Sequence, residues 1–245
     1  MPLSAEDLYK THVLNLRAVG DGLARIEREL NSAIASQDAA KDTLIRIFLL
    51  LAGAWTECRL RKVLYESSGF GPSDRQIIEG QRTQADRWRR ALELGYRKRY
   101  NVRRIAISEH SVGATAWLRY EAIDRLIKDE LEPLIEMRNT LAHGQWVRPL
   151  NSDETDLQVP MLVALKRENA LSIKFKLTLS THIAELIHDL VAATSFERDF
   201  DRHYQGITST RLNLRERSYE DWERRMIEKY KRGRVRRNEA IKSQA

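Results

Sequence analysis

A single cysteine, Cys58, occurs in 245 residues. One thiol excludes an internal disulfide framework and fits a reducing compartment. Glycine and proline are scarce, at 11 and 5, which argues against a loop-rich β fold and for long helices. The longest near-continuous apolar run, Ile47 to Trp55, falls well short of the ~20 residues that span a bilayer. The opening residues, Met1-Pro2-Leu3-Ser4-Ala5-Glu6-Asp7, lack the basic and apolar regions of a secretory leader. Gly69-Phe70-Gly71 is not followed by Lys-Ser/Thr, so no phosphate-cradling loop is present. These absences predict a soluble cytoplasmic protein with no membrane partner.

What the chain has is apolar residues at 42%, charged residues at 31% and a net charge of +7. The positive charge is concentrated. Residues 211–245 carry twelve Lys and Arg against six Asp and Glu, and Arg82 to Arg104 carries nine against two. Two basic zones on a mildly acidic body resemble an electrostatic footprint for a polyanion. Within the first zone, Tyr96 and Tyr100 interleave with Arg87, Arg90, Arg97, Lys98, Arg99, Arg103 and Arg104. Aromatic rings among cations can stack bases while the cations hold phosphates, so these residues are the candidate RNA contacts. Trp88 fits the apolar stripe of the same helix equally well.

Helical spacing dominates the chain. Leu16, Val19, Leu23, Ile26, Leu30 and Ile34 form one stripe. A second helix, capped by Asp38, runs to about Glu66 through an apolar centre. Residues 67–74 are turn chemistry, and Ile78, Ala85, Trp88 and Leu92 mark a third helix. Trp117 to Glu132 is another, with Pro133 opening or kinking the next turns. The runs Leu157–Leu165 and Ala170–Leu177 are compatible with a β-hairpin over 157–177. Helical spacing resumes from Leu179 to Tyr204, Gly206 to Thr210 is a breaker, and Tyr219, Trp222, Met226 and Tyr230 stripe a basic last helix. The predicted organisation is an all-α domain over 1–205 with a small hairpin insertion, then a basic helix and tail over 206–245.

The chemistry concentrates at Arg138-Asn139-Thr140-Leu141-Ala142-His143, which ends an apolar helix. Cleavage of RNA by transesterification needs the 2′-hydroxyl deprotonated, the phosphate held and the leaving 5′-oxygen protonated. Imidazole, with an ordinary pKa of ~6.5, suits both proton transfers. Guanidinium neutralises the non-bridging oxygens as charge develops, and Asn139 can donate to phosphate or orient its neighbours. On a straight helix a spacing of five separates Arg138 and His143 by about 140°. Either the helix bends, or a second copy supplies the missing half. A two-fold interface brings the same patch from both subunits together. The purely structural alternative pairs Arg138 with Glu136 or Glu132 and leaves His143 at the helix C-terminus.

Other constellations carry less. Glu185-x-x-His188 is half of a di-iron unit whose second half is missing, so no metal ligand set is assigned. Cys58 reads as a buried apolar thiol.

Arg138-Asn139-Thr140-Leu141-Ala142-His143-Gly144, preceded by its apolar helix, resembles the Arg-Asn-x-x-x-His signature of the HEPN superfamily. The resemblance covers roughly the first 145 residues and the helix near 180–204. It implies an antiparallel helical bundle and a metal-independent endoribonuclease that needs no cofactor. It also implies a homodimer, a toxin or anti-phage role, and an antitoxin or immunity partner. Arg138 and His143 would be catalytic, Asn139 would orient them, and Glu57 is the candidate helper from an earlier helix. The sequence departs from one branch of the family at Gln145, where members silenced by nucleotidylation carry Tyr. The alternative is a non-catalytic module of the same fold that binds nucleic acid or a protein.

Overall fold

The computed structural model describes residues 3–102, 105–193 and 195–242, so Arg103 and Arg104 lie outside the described residues. The chain is helical. In order the elements are α1 (Ala5–Ser36), α2 (Lys41–Leu64), α3 (Pro72–Glu79), α4 (Gln84–Arg99), α5 (Glu109–Val112) and α6 (Ala114–Leu126). A π-helical turn (Ile127–Leu131) follows, and then α7 (Glu132–Ala142), α8 (Val159–Arg167), α9 (Ala170–Val191), α10 (Phe196–Glu216) and α11 (Tyr219–Lys242). No helix among the described residues is long and apolar enough to cross a membrane.

Local chemistry sets the boundaries. Ser4 caps α1 by accepting from the Asp7 amide at 3.1 Å. Asp38 does not sit at the N-cap of α2, which is Ala40, but its Oδ1 accepts from the Ala40 amide at 2.8 Å and so orders the turn before the helix. Thr83 starts α4 by accepting from the Asp86 amide, which divides the predicted third helix into α3 and α4. Pro133 sits in the first turn of α7, directly after the π turn. Its ring would crowd the carbonyl four residues back, and the wider i→i+5 turn relieves that conflict without ending the helical run.

Two apolar clusters form the interior. One gathers Trp88, Leu92, Tyr96, Ile123, Ile183, Ile187 and Phe196 from α4, α6, α9 and α10. The other gathers Leu30, Ile34, Phe48, Leu49, Leu134 and Met137 from α1, α2 and α7. Helix α2 serves both, because Phe48, Leu49 and Ala52 face the second cluster while Leu60, Val63 and Leu64 face the first. Helix α7 is shared likewise, Ile135 to one side and Leu134, Met137 and Leu141 to the other. Tyr219, Trp222 and Met226 anchor α11 against the second cluster.

The hairpin expected over 157–177 does not form; helices occupy that stretch, and the one β contact among the described residues is an isolated bridge between Leu150 and Leu157. Pro160 lies in the first turn of α8, where its missing amide costs nothing. The polar string Lys166 to Asn169 is a helix end and a helix start, not a turn. Asn169 caps α9 in a reciprocal box with Ser172, each accepting from the other's amide at 2.9 Å.

Gly206 to Thr210 is likewise not a breaker. It lies inside α10, with Ile207 and Thr210 buried, so the expected boundary at 205/206 falls within one continuous helix. Gly206 marks a close approach. A Cβ there would meet His182 Nε2 at 2.6 Å, and the missing side chain lets the His182 ring lie against α10. The break between α9 and α10 falls earlier, around residues 192–195.

Candidate active site

Helix α7 reaches the site as regular α-helix through Ala142, with His143 at the C-cap. No break interrupts it at Arg138-Asn139, and a spacing of five then sends the guanidinium and the imidazole off on different sides. Gly144 ends the helix in the left-handed region at φ 78°. The Gln145 amide donates to Thr140 O and the Gly144 amide to Leu141 O, both at 3.1 Å. This six-to-one and five-to-two pair is a Schellman closure, and it fixes where the His143 backbone stops. The Trp146 indole adds a further bond to Leu141 O at 2.9 Å. Glycine after His143 is therefore demanded by backbone conformation.

Arg138 is aimed at α2. Its Nη2 donates to Glu57 Oε2 at 2.6 Å and its Nη1 to Asn139 Oδ1 at 2.9 Å. Glu57 accepts from Arg61 on its other oxygen at 2.7 Å, so one carboxylate holds two guanidinium groups. The expected carboxylate partners Glu136 and Glu132 are not the ones used, and Glu132 instead takes Arg89. The approach of the two helices depends on Gly53, one turn before Glu57. A Cβ there would lie 2.2 Å from Arg138 Cβ and 2.6 Å from its Cγ.

His143 is exposed and its side chain has no hydrogen-bond partner among the described residues. It lines an open cleft of about 510 Å³ with Asn139, Thr140 and Gln145 on one side. Leu150, Asn151, Ser152 and Gln158 of the following loop make the other side. That loop is ordered from within. Asn151 Oδ1 accepts from the Thr155 amide at 2.9 Å, and Gln145 Oε1 accepts from the Leu150 amide at 2.9 Å. Arg138 does not line this cleft. Asn139 belongs to both places, since its Oδ1 holds Arg138 while its side chain borders the opening that His143 shares. Cys58 is half-buried; burial and then the adjacent Glu57 carboxylate push its thiol pKa up, which makes it a poor nucleophile.

The aromatic-basic stripe of α4 is largely committed inside the protein. Tyr96 is fully buried among Tyr100, Tyr120 and Phe196, so its ring cannot stack a base. Arg90 and Arg97 both pair with Glu93. Arg97 also reaches Ile105 O at 2.9 Å, and Lys98 reaches Ser68 O at 2.9 Å. Arg87 donates to Gln81 O. Arg99 and Tyr100 converge on Glu197, with the Tyr100 hydroxyl donating at 2.9 Å. Burial, with the Glu197 carboxylate second, pushes the Tyr100 hydroxyl up to about 12. The described candidate RNA contacts on α4 are thus engaged within the chain, Arg90, Arg97 and Arg99 in ion pairs, Arg87 and Lys98 with backbone carbonyls, and Tyr96 and Tyr100 in aromatic packing. The alternation of Arg with Glu93 was visible in the sequence, but Glu197 and the Ser68 carbonyl are non-local and were not.

Glu197 has its pKa drawn down to about 2, chiefly by hydrogen bonding to Arg99. A carboxylate with a depressed folded pKa contributes stability above its unfolded value, and loses it as pH falls toward the folded value. The contribution is therefore present above 4.5 and disappears between there and about 2. Glu197→Gln is expected to lower the melting temperature at neutral pH while flattening its decline across that acid window. Parallel acid slopes for the two proteins would show that this ion pair contributes nothing, as many exposed pairs do.

No family model, curated protein or solved structure matches this chain.

Proposed function

We propose that this chain is a metal-independent endoribonuclease of the HEPN type, acting as a homodimer in a toxin or anti-phage defence setting. The observation that carries the reading is the pairing of Arg138 with Glu57 and Asn139, next to an open cleft on which His143 stands with no side-chain partner among the described residues. A guanidinium has five N–H donors. Two point at Glu57 and Asn139, and the remainder suit a phosphate. In one chain Arg138 and His143 leave α7 on different sides, which suits a shared site assembled from two copies. Exposed Val159 and Val163, one turn apart on α8, and exposed Val147 just past the motif are apolar surface suited to such an interface.

In this mechanism one imidazole takes the proton of the 2′-hydroxyl, whose oxygen attacks the phosphorus. The 5′-oxygen leaves with a proton from the second imidazole, giving a 2′,3′-cyclic phosphate and a 5′-hydroxyl. Arg138 neutralises the non-bridging oxygens, and Glu57 sets its direction. The experiment is to incubate the protein with RNA without added divalent cation and identify the new ends. Cyclic phosphate ends are expected. Free 3′-hydroxyl ends, or cleavage that begins only when Mg²⁺ is supplied, would overturn the mechanism.

A second reading is a non-catalytic nucleic-acid-binding or interaction module. It is favoured by Arg138 already being neutralised by Glu57, and by exposed Lys229, Lys231 and Arg232 on α11. Under it, wild type and His143→Ala bind RNA alike and are equally tolerated on expression.

A further inference from the structure

A second group of chemistry-bearing side chains lies on a different face of α2 from Glu57. Arg59, two residues on and therefore about 200° around the helix, pairs with Glu185 of α9. Glu185, His188 and Asp189 share one turn of α9, and one donor atom from each lies within 4.8 Å of the others. Asp189 is buried, at 7% exposure. His188 is held from outside, because its Nε2 lies 3.3 Å from Glu66 Oε2. Lys62 fixes that carboxylate in turn at 2.9 Å.

The ring's other nitrogen, Nδ1, is turned toward Asp189. That Nδ1 is shut off from solvent and makes no hydrogen bond, yet it faces Asp189 Oδ1 at 3.5 Å. Two atoms that can both ligate a metal thus stand side by side in a closed space with no hydrogen bond joining them. The outer carboxylate on the far ring nitrogen is the arrangement that orients metal-binding histidines. Tetrahedral ligands about 2.0–2.2 Å from zinc lie roughly 3.4 Å apart, close to the spacing of Nδ1 and Oδ1.

We infer that Glu185, His188 Nδ1 and Asp189 bind one divalent transition metal of the zinc class. One imidazole with two carboxylates suits zinc and its neighbours better than calcium or magnesium. The metal would be structural and separate from the Arg138 and His143 chemistry. Glu66, just beyond α2 and held by Lys62 of that helix, ties it to α2, and Asp189, whose second oxygen is 3.4 Å from His203 Nε2, ties it to α10. The sequence spacing offered only Glu185 and His188; Asp189 completes the turn, and Glu66 is brought in by the fold.

The test uses the full chain without an affinity tag, stripped of metal and titrated with Co²⁺ by visible absorption and with Zn²⁺ by equilibrium dialysis. One Co²⁺ per chain is expected, displaced by Zn²⁺. His188→Ala should weaken binding at least about tenfold, and Glu66→Gln about tenfold with the ligands intact. Glu185→Gln, at a partly exposed side chain, reads out the site even where His188→Ala fails to fold. His182→Ala should change nothing. The assignment is overturned by absence of stoichiometric binding, by Glu185→Gln binding like the parent, or by loss of binding in His182→Ala, which would move the site to the His182–His203 pair. None of these outcomes depends on RNA cleavage.

Discussion

His143→Ala is expected to reduce RNA cleavage by about 10²–10⁴-fold, the usual worth of a positioned acid–base group, without altering the melting temperature. The physical basis is that His143 is exposed and unpartnered among the described residues, so its removal opens no cavity and orphans no buried group. Its backbone is held by the Schellman closure at Gly144, which the substitution leaves in place. Arg138→Ala should cost about 10²–10³-fold, the scale of one transition-state donor, but with a structural penalty, since Glu57 loses a partner. Arg138→Lys should recover little, because an ammonium cannot hold Glu57, Asn139 and a phosphate at once. Combining Arg138→Ala with His143→Ala should cost far less than the product of the two, as for groups acting on one transition state. Cleavage assays with thermal melts on each variant check all of this. Full activity in His143→Ala would remove the imidazole from the chemistry.

Gly53→Ala is expected to destabilise the protein by about 2 kcal/mol and to lower its melting temperature by roughly 4–8 °C for a chain of this size. Helix propensity alone argues the other way, since Ala is favoured over Gly by about 1 kcal/mol in a helix interior. Packing wins because the added Cβ would stand 2.2 Å from Arg138 Cβ. A Cβ moves only with its backbone, so no change of rotamer relieves the overlap and α7 must shift away from α2. The shift pulls Arg138 from Glu57, so activity should fall with stability. Gly20 provides the control. It is also mid-helix, but a Cβ there meets nothing within 4 Å, so Gly20→Ala should be neutral or stabilising. If both substitutions raise the melting temperature alike, the contact between α2 and α7 is wrong.

Much of the helical layout was legible because it is local. The stripe from Leu16 to Ile34 and the Pro133 start are written in spacing and caps; the turn expected over 67–74 holds only to residue 71, because Pro72 opens α3 from the N-cap Gly71. The failures have two causes. Over 157–177 the apolar runs suit strand or helix equally, and the decision lay in the Asn169–Ser172 box and in Pro160 within a helix's first turn. At Gly206 composition suggested a break, whereas the glycine serves the His182 ring on a neighbouring helix. The site shows the same division. Arg138, Asn139 and His143 are contiguous and stand out. Glu57 drew notice only through the resemblance, and Gly53, Arg61 and the loop at 150–158 have no local signal because their roles arise from contacts between distant segments. Tyr96 lies on the inward face of α4, and an interleaved aromatic-basic pattern does not reveal which face turns inward.

The π turn at Ile127–Leu131 has a further consequence. A π turn holds one residue more than the α-helical ladder would, so it advances the phase of everything downstream by about 100°. The direction in which Arg138 emerges is thus set by a counting step seven residues earlier, not by α7 alone. A homologue with a one-residue gap in that turn would present a different flank of α7 to α2. Matching the two chains residue for residue across the gap would then pair positions that do not correspond in space.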